Sequence, residues 1–588
     1  MNVLKWTPIF LSLVLYGQEV QIDDSLTNSL LIDSISVSEP GLFQNAQNSF
    51  LEEDDLLLIG YHPFEETTLS NFGLPRVPVW WKPNNNLNLK IGDRLLEASA
   101  KRPIYASLFK ENFPHTKIMY APTLVEGQKM NVIHQRPYKF GSVLIDYDRT
   151  VSEGYLVHEK LKTTRFAFHG NFSHPNIPYN SEWRFHSFKN ESNWNGGVTD
   201  DELFLSNSES NWELLPTQWT RLNTEIKQKG LDWKHSYRYS NKAEIDYELK
   251  VSRDSLFYND LQEDTLFYPV RTDSSSSLSR VFTTTNHALR WSQKIDSDKN
   301  VMVGLSYQNF DFETSDLKQY NLHTSLSSKS LKNHVSLAYG IDANKRYNLQ
   351  ANYQQKIFFL GLNHQFKLGF EKTHPSWMMQ NDIIFHHPSK LEISDVNKPS
   401  THRSLEWDMN LNETISLYSS YHNIDDHHYY NASAIATQSE ETIQIFQSTL
   451  NYKIHYKKWN WKGQIGYQNC SSSEIPLVDF LTHQKIYWQG NIIKKATLAQ
   501  FGTRIRYKSS HPGMSYSPMI GDFYVNPLYE TEASLRCDLF ANFQIKTLKI
   551  YLSYEHINGL GQGNQYVLKP YPMTKPFFRM SLIWNFYD

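Results

Sequence analysis

The sequence predicts an all-β chain closed into a transmembrane antiparallel β-barrel of roughly 16–24 strands. Three observations point there. Apolar and polar residues alternate with a period of two from about residue 100 to the end, as a strand with one greasy and one wet face requires. No stretch approaches the roughly 18 consecutive apolar residues of a spanning helix. The first residues carry the marks of an export signal, and an exported chain without a helix span can cross lipid only as a closed barrel.

Taken in order, Lys5 gives a positive start, residues 6–16 are uncharged and mostly apolar, and small Gly17 follows. This is the build of a secretory signal peptide, assigned to residues 1–17. Residues 18–100 read differently. They hold the acidic run Glu52-Glu53-Asp54-Asp55 and the punctuating prolines Pro75, Pro78 and Pro83, and alternate weakly. A short, mostly irregular periplasmic extension or partial plug is expected there, with the outer-membrane barrel over 101–588.

The last strand is the clearest. Phe578, Met580, Leu582, Trp584 and Phe586 share one face, and Arg579, Ser581 and Asn585 the other. Leu535, Cys537, Leu539, Ala541 and Phe543 alternate in the same way with Arg536, Asp538, Asn542 and Gln544. Earlier segments at 450–456, 459–468, 499–508, 405–411, 415–421, 347–353 and 358–370 repeat the pattern. Secreted β-sandwiches also alternate. Strands of about 9–11 residues, charges near mid-strand and aromatics at strand ends favour the barrel. Trp459, Trp461, Tyr429, Tyr430, Phe577 and Tyr587 are the expected interfacial aromatics. Short connections (Lys457-Lys458, Lys546-Thr547) contrast with long polar ones, opening at Asn469-Cys470 and spanning 509–530, which is the outer-membrane arrangement of turns and loops.

Composition closes other routes. Aromatics are 14% of the chain, against disorder along most of its length. With Lys+Arg 58 and Asp+Glu 61 there is no basic footprint for nucleic acid. Two cysteines exclude a disulfide framework or a four-thiolate zinc site. The densest histidines are His386-His387 with His402, and His422 with His427-His428. Adjacent strand residues point to opposite faces, so neither pair makes a two-ligand site, and no metal or other cofactor is expected. No nucleophile elbow, phosphate loop or zinc-protease motif occurs, and no catalytic residue is assigned.

A second set of residues carries a family resemblance. It comprises Leu539-Phe540-Ala541-Asn542-Phe543, Tyr554-Glu555-His556-Ile557-Asn558, Tyr571-Pro572-Met573 and the ending from Phe578 to Asp588. Upstream lie Arg102-Pro103-Ile104-Tyr105-Ala106, Ile118-Met119-Tyr120 and Asn195-Gly196-Gly197-Val198-Thr199-Asp200-Asp201. In this order, from about residue 60 to the end, the chain resembles the Putative porin family of large Gram-negative outer-membrane barrels. The resemblance implies a membrane barrel with a pore and no catalytic residue.

The expected function is passive diffusion of small hydrophilic solutes through the cell outer membrane. A TonB-coupled transporter should carry a larger plug than residues 18–100 allow. A structural or adhesive barrel whose loops bind glycans or a protein is the alternative. Lumen-facing candidates are Arg504, Arg506, Arg536, Asp538, Arg579, Lys453 and Lys462; their excess of cations would favour anions. Phe578, Met580, Leu582, Trp584 and Phe586 form the strand offered to the barrel-assembly machinery by edge addition. Outer-membrane lipid is the other partner, and the oligomeric state is open.

Overall fold

The computed structural model describes residues 66–69, 71, 75–83, 113–123, 126–206, 212–260, 276–312, 316–328, 332–376, 379, 396, 398–412, 414–493, 497–518 and 520–587. The expected signal peptide, most of the 18–100 segment, the Arg102–Ala106 motif, His386, His387 and Asp588 lie outside the described residues.

Twenty-two strands form one closed antiparallel barrel. Each pairs with the next barrel strand along the chain. The last strand, Phe577–Tyr587, then pairs with the first, His115–Pro122, in a register running from His115 opposite Tyr587 to Tyr120 opposite Leu582. Closure leaves no open sheet edge in lipid.

The strand ends divide into two kinds. At the end shared by His115 and Tyr587, connections are short, as at Lys457-Lys458 and Lys546-Thr547. The expected single segment 358–370 is instead two strands, Tyr347–Phe359 and Leu362–Thr373. Leu360 and Gly361, at φ 50° and 78°, make the two-residue turn whose twist suits a hairpin, so the apolar run Phe358-Phe359-Leu360 straddles a bend. The opposite end carries the long connections. By the outer-membrane pattern the short turns face the periplasm.

Exposed side chains mark the lipid face. On the last strand Phe578, Met580 and Trp584 are exposed, Leu582 and Phe586 are half-buried in the same row, and Arg579, Ser581 and Ile583 are buried. Tyr456, Trp459, Trp461 and Trp584 form part of an exposed aromatic band near the short turns. Tyr429 and Tyr430, expected in such a band, sit elsewhere. They belong to a small hairpin beyond the barrel wall, where Tyr430 is buried and the Tyr429 hydroxyl donates to Glu474 Oε1 at 3.1 Å.

Several strands outrun the membrane. Leu222–Ser240 and Ser276–Lys294 have 19 residues each, about twice a spanning strand. Their extra length lies toward the long loops. There the outer face changes from Trp183, Phe185, Leu231 and Trp233 to a ladder of ion pairs, with Lys189 to Glu225 at 2.8 Å and Lys162 to Glu191 at 3.3 Å. Such charges need water, so this part of the wall stands above the hydrocarbon.

The long-loop end is not an open mouth. The expected polar loop at 509–530 folds inward as a hairpin, His511–Ser517 against Asp522–Thr531, and most of its first strand is buried. The expected loop at Asn469-Cys470 begins only after Cys470, the last residue of Trp459–Cys470. The reason is visible in the core. Tyr516 stacks on Trp194 with ring centroids 4.9 Å apart, within an apolar cluster that includes Leu69, Trp80, Tyr258, Val478 and Leu568. Aromatic and aliphatic residues from polar loops and from the upper ends of barrel strands gather inside the barrel and bury one another.

Candidate functional site

Two of the family motifs meet at this end. Gly197, at φ 85°, lets the backbone approach so closely that an added Cβ would lie 2.6 Å from the Pro570 carbonyl oxygen. The Val198 amide donates to that oxygen at 3.1 Å. The Tyr566 hydroxyl donates to Asp201 at 2.8 Å, and Lys569 pairs with the same carboxylate. The Asn-Gly-Gly run and the segment before Tyr571-Pro572 thus tie distant loops together across the barrel's end.

A short N-terminal stretch enters this end too. The Glu66–Thr68 and Arg76–Pro78 strands pair as a hairpin. On one side Asn71 donates to the Glu159 carbonyl at 2.8 Å and accepts from the Ser152 hydroxyl at 2.5 Å. On the other, Gln468 Nε2 donates to the Val79 carbonyl at 2.8 Å, and Gln447 Nε2 to the Trp81 carbonyl at 3.0 Å. Trp81 rests on His422 at 4.3 Å and on His402 at 5.3 Å. Those two histidines, placed in separate groups by the sequence, face one another across paired strands, with 3.1 Å between His402 Nε2 and His422 Nδ1. They serve as a platform for the tryptophan. No cluster of three metal-ligating side chains occurs among the described residues.

The seven lumen candidates fall into two groups. Arg536, Asp538 and Arg579 are joined by Glu555 in a buried ionic network. Arg536 Nε donates to Asp538 Oδ1 at 3.0 Å and its Nη2 to Glu555 Oε2 at 2.5 Å. Arg579 Nη2 donates to the same Glu555 oxygen at 3.2 Å, and the His556 amide to Asp538 at 2.8 Å. Two guanidiniums and two carboxylates compensate one another, so this group fixes the last three strands.

Lys453, Lys462, Arg504 and Arg506 form the other group. Cross-strand register sets Lys453 opposite Lys462, Lys462 opposite Lys485, Lys485 opposite Arg504, and Arg504 opposite Asp538. One row of the lumen wall therefore carries four cations on four adjacent strands. Those strands, Ile443–Tyr456, Trp459–Cys470, Phe480–Ile493 and Thr497–Lys508, contain no aspartate or glutamate at all. The Lys485 ammonium lies 4.8 Å from the Tyr487 ring centre and 5.2 Å from that of Phe540, and the Arg504 guanidinium 4.7 Å from Phe540. The two rings and Arg504 are all buried, so these contacts pack the guanidinium and the lysine stem against the wall beside Asp538. Lys508, on the same face as Arg504 and Arg506, donates from Nζ to the Val567 carbonyl, and so anchors an inward loop.

Lys485 was missed by the sequence reading, together with its whole strand. The signal was present in the order Lys485, Tyr487, Gln489 against Ile486 and Trp488. The consecutive Ile486-Tyr487-Trp488 hides it, because Tyr487 is a buried aromatic on the lumen side.

A closed barrel with a lipid-facing apolar row, short turns at one end and a wet, charged interior defines an outer-membrane β-barrel protein. Residues 58–588 match the model of the family described as "Putative porin", and the chain belongs to that family. Among solved structures it is similar to the copper transporter OprC, with a TM-score of 0.65 and 10% identity over 89% of this chain and 94% of that one. The FrpB iron transporter from Neisseria meningitidis (F3-3 variant) gives 0.61 and 11% over 82% and 84%. The ferric-catecholate import receptor Fiu from E. coli K12 gives 0.57 and 9% over 82% and 83%. At such identities the likeness is one of fold. No curated protein matches the sequence.

Proposed function

We infer that the protein is an outer-membrane channel for small hydrophilic solutes, that it admits them by diffusion, and that it favours anions. The observation that carries this reading is the acid-free wall of four strands bearing Lys453, Lys462, Lys485, Arg504 and Arg506. A cation row inside a low-dielectric wall raises the local concentration of anions and lowers their entry barrier. Reversal potentials of the reconstituted protein in a salt gradient test it. Anion preference is expected, reduced by Lys462→Glu with Lys485→Glu; cation preference in the unaltered protein rejects the reading.

A second reading has its own support. The hairpin at 66–78, the Trp81 contact and the inward 511–531 hairpin obstruct the long-loop end, and the similar solved structures are described as transporters and an import receptor. On this reading the N-terminal segment is a partial plug, and passage follows its displacement. Bilayer conductance distinguishes the two, since a plugged barrel is silent until the segment is removed.

A further inference from the structure

We propose that the outer face of the tall wall binds the phosphate group of an outer-leaflet lipid at Lys229 and Arg253. This goes beyond the channel reading above, because both residues face away from the lumen. Cross-strand register sets Lys229 of Leu222–Ser240 directly opposite Arg253 of Ala243–Asp260. Both residues are exposed, and neither forms an ion pair among the described residues. Like charges directly opposed destabilise a sheet. An anion held between them would turn that repulsion into attraction.

The neighbouring ladder shows the same arrangement with its anions supplied. Two residues nearer the loops, Lys189 opposes Lys227. There Glu225 pairs with both lysines, at 2.8 Å from Lys189, and Glu191 lies 2.6 Å from Lys189 and 3.3 Å from Lys162. The chain thus provides carboxylates for one opposed pair and none for the next. Ser187 and Thr283 flank Lys229 and Arg253 in their row. Four adjacent strands therefore present a hydroxyl, an ammonium, a guanidinium and a hydroxyl over about 14 Å. Such a set of donors suits phosphate oxygens, and the guanidinium can meet two of them at once.

Height selects a lipid as the bearer of that phosphate. Two residues toward the short turns, the next outward row is Phe185, Leu231 and Val251, followed by Trp183, Trp233 and Leu249. The donors stand about 7 Å along the strands from the first apolar row, where a headgroup meets its acyl chains. The charge is also one-sided. On the eight barrel strands from Ile443–Tyr456 through the seam to His115–Pro122, the outward rows carry no charged residue. Hydration alone would favour charges all round the barrel at this height, whereas a bound headgroup needs them on one wall. An acidic protein segment is the competing partner, but it would use the cations without the apolar rows beneath them.

The test is a native mass spectrometry titration of the full-length protein in detergent, with chelator present so that divalent ions do not bridge phosphate to the glutamates. The probes are diphosphoryl lipid A, the same lipid without its phosphates, inorganic phosphate and hexaglutamate. Retention of diphosphoryl lipid A well above that of the dephosphorylated lipid is expected. Lys229→Gln with Arg253→Gln should weaken it about thirtyfold, at about fivefold per cation. Lys372→Gln, which removes an outward cation from Leu362–Thr373, should leave it unchanged. Heat-modifiable gel migration confirms that each variant barrel is folded. Equal retention of the dephosphorylated lipid, wild-type retention by the double variant, or an equal loss in Lys372→Gln overturns the proposal. So does displacement of the lipid by an equal concentration of inorganic phosphate, or hexaglutamate binding as tight as that of the lipid. Reversal potentials read the lumen and not this face, so the anion-favouring channel and the lipid site fail separately.

Discussion

Arg579 on the last barrel strand donates to Glu555 on the strand before it, Nη2 to Oε2 at 3.2 Å, and both side chains are almost wholly buried. Glu555 also receives Arg536, so one carboxylate joins the two final hairpin strands to their predecessor. Arg579→Met leaves Glu555 with one cation in place of two, beside the Ser553 hydroxyl that donates to its Oε1 at 3.1 Å. Removing one member of a buried pair costs about 3–5 kcal/mol, and the remaining contact to Arg536 sets the expectation at the lower end. The midpoint of the heat-modifiable gel shift should fall clearly. In Arg579→Met with Glu555→Gln much of that loss should return, because no uncompensated carboxylate remains. An unchanged midpoint in the single variant removes the network from the account of the seam.

Deleting Phe586 to Asp588 should block assembly. Phe586 and Tyr587 pair with Thr116 and His115, and the Tyr587 ring stacks on His115 at 4.7 Å. The deletion also shortens the row Phe578, Met580, Leu582, Trp584 and Phe586, which we propose as the surface added to the assembly machinery's sheet edge. The expected outcome is loss of the protein from the outer-membrane fraction. Normal surface accumulation would show that the row is recognised without its end.

Acid should loosen the inward hairpin. His511 is pulled down to about 3, chiefly by burial and then by the Lys508 charge. Its Nδ1 donates to the Pro512 carbonyl at 2.8 Å, while its buried Nε2 has no partner to receive a second proton. An exposed histidine titrates near about 6.5. The closed hairpin therefore has its full stability above about pH 6.5 and loses it progressively as pH falls toward 3. His158 and His556, also lowered by burial, act in the same direction. Proteinase K cleavage within 511–531 should increase on acidification, and His511→Gln should flatten the profile in part. A flat wild-type profile contradicts this.

The barrel was legible because period-two alternation survives wherever one face meets lipid, as in Phe577–Tyr587 and Ser534–Ile545. It was lost where strands leave the membrane. Tyr179–Trp194 and Leu222–Ser240 turn polar on both faces near Lys189, Glu191 and Glu225, and neither was delimited along its whole length from sequence. The charged lumen residues were legible one by one. Their sorting was not, because Arg536 and Arg504 are alike in sequence, yet Arg536 lies between two carboxylates, Asp538 and Glu555, whereas Arg504 stands between Asp538 on one strand and Lys485 on the other. The long-loop end was least legible. Tyr516, Trp194 and Trp80 meet only after the chain has closed, and nothing local to any of them announces the others.

The N-terminal contact yields the prediction that separates an open channel from a plugged one. Trp81 is held by its ring against His422 and His402 and by its backbone to Gln447 and Gln468. Removing the ring leaves the backbone hydrogen bonds, so Trp81→Ala should loosen the segment without releasing it. Trp81 is half-buried, so losing its ring should cost less than the about 3 kcal/mol of a fully buried aromatic, and the docked state should lose part of its advantage. Brief, flickering conductance is expected in planar bilayers. Deletion of residues 66–83 removes both sides of the tether, including the Asn71 bonds to Ser152 and Glu159, and should give long openings of larger amplitude. Gln447→Ala with Gln468→Ala keeps the ring and should fall between. If all four proteins, wild type included, show the same steady conductance, the segment does not gate the pore and the diffusion reading holds without a plug.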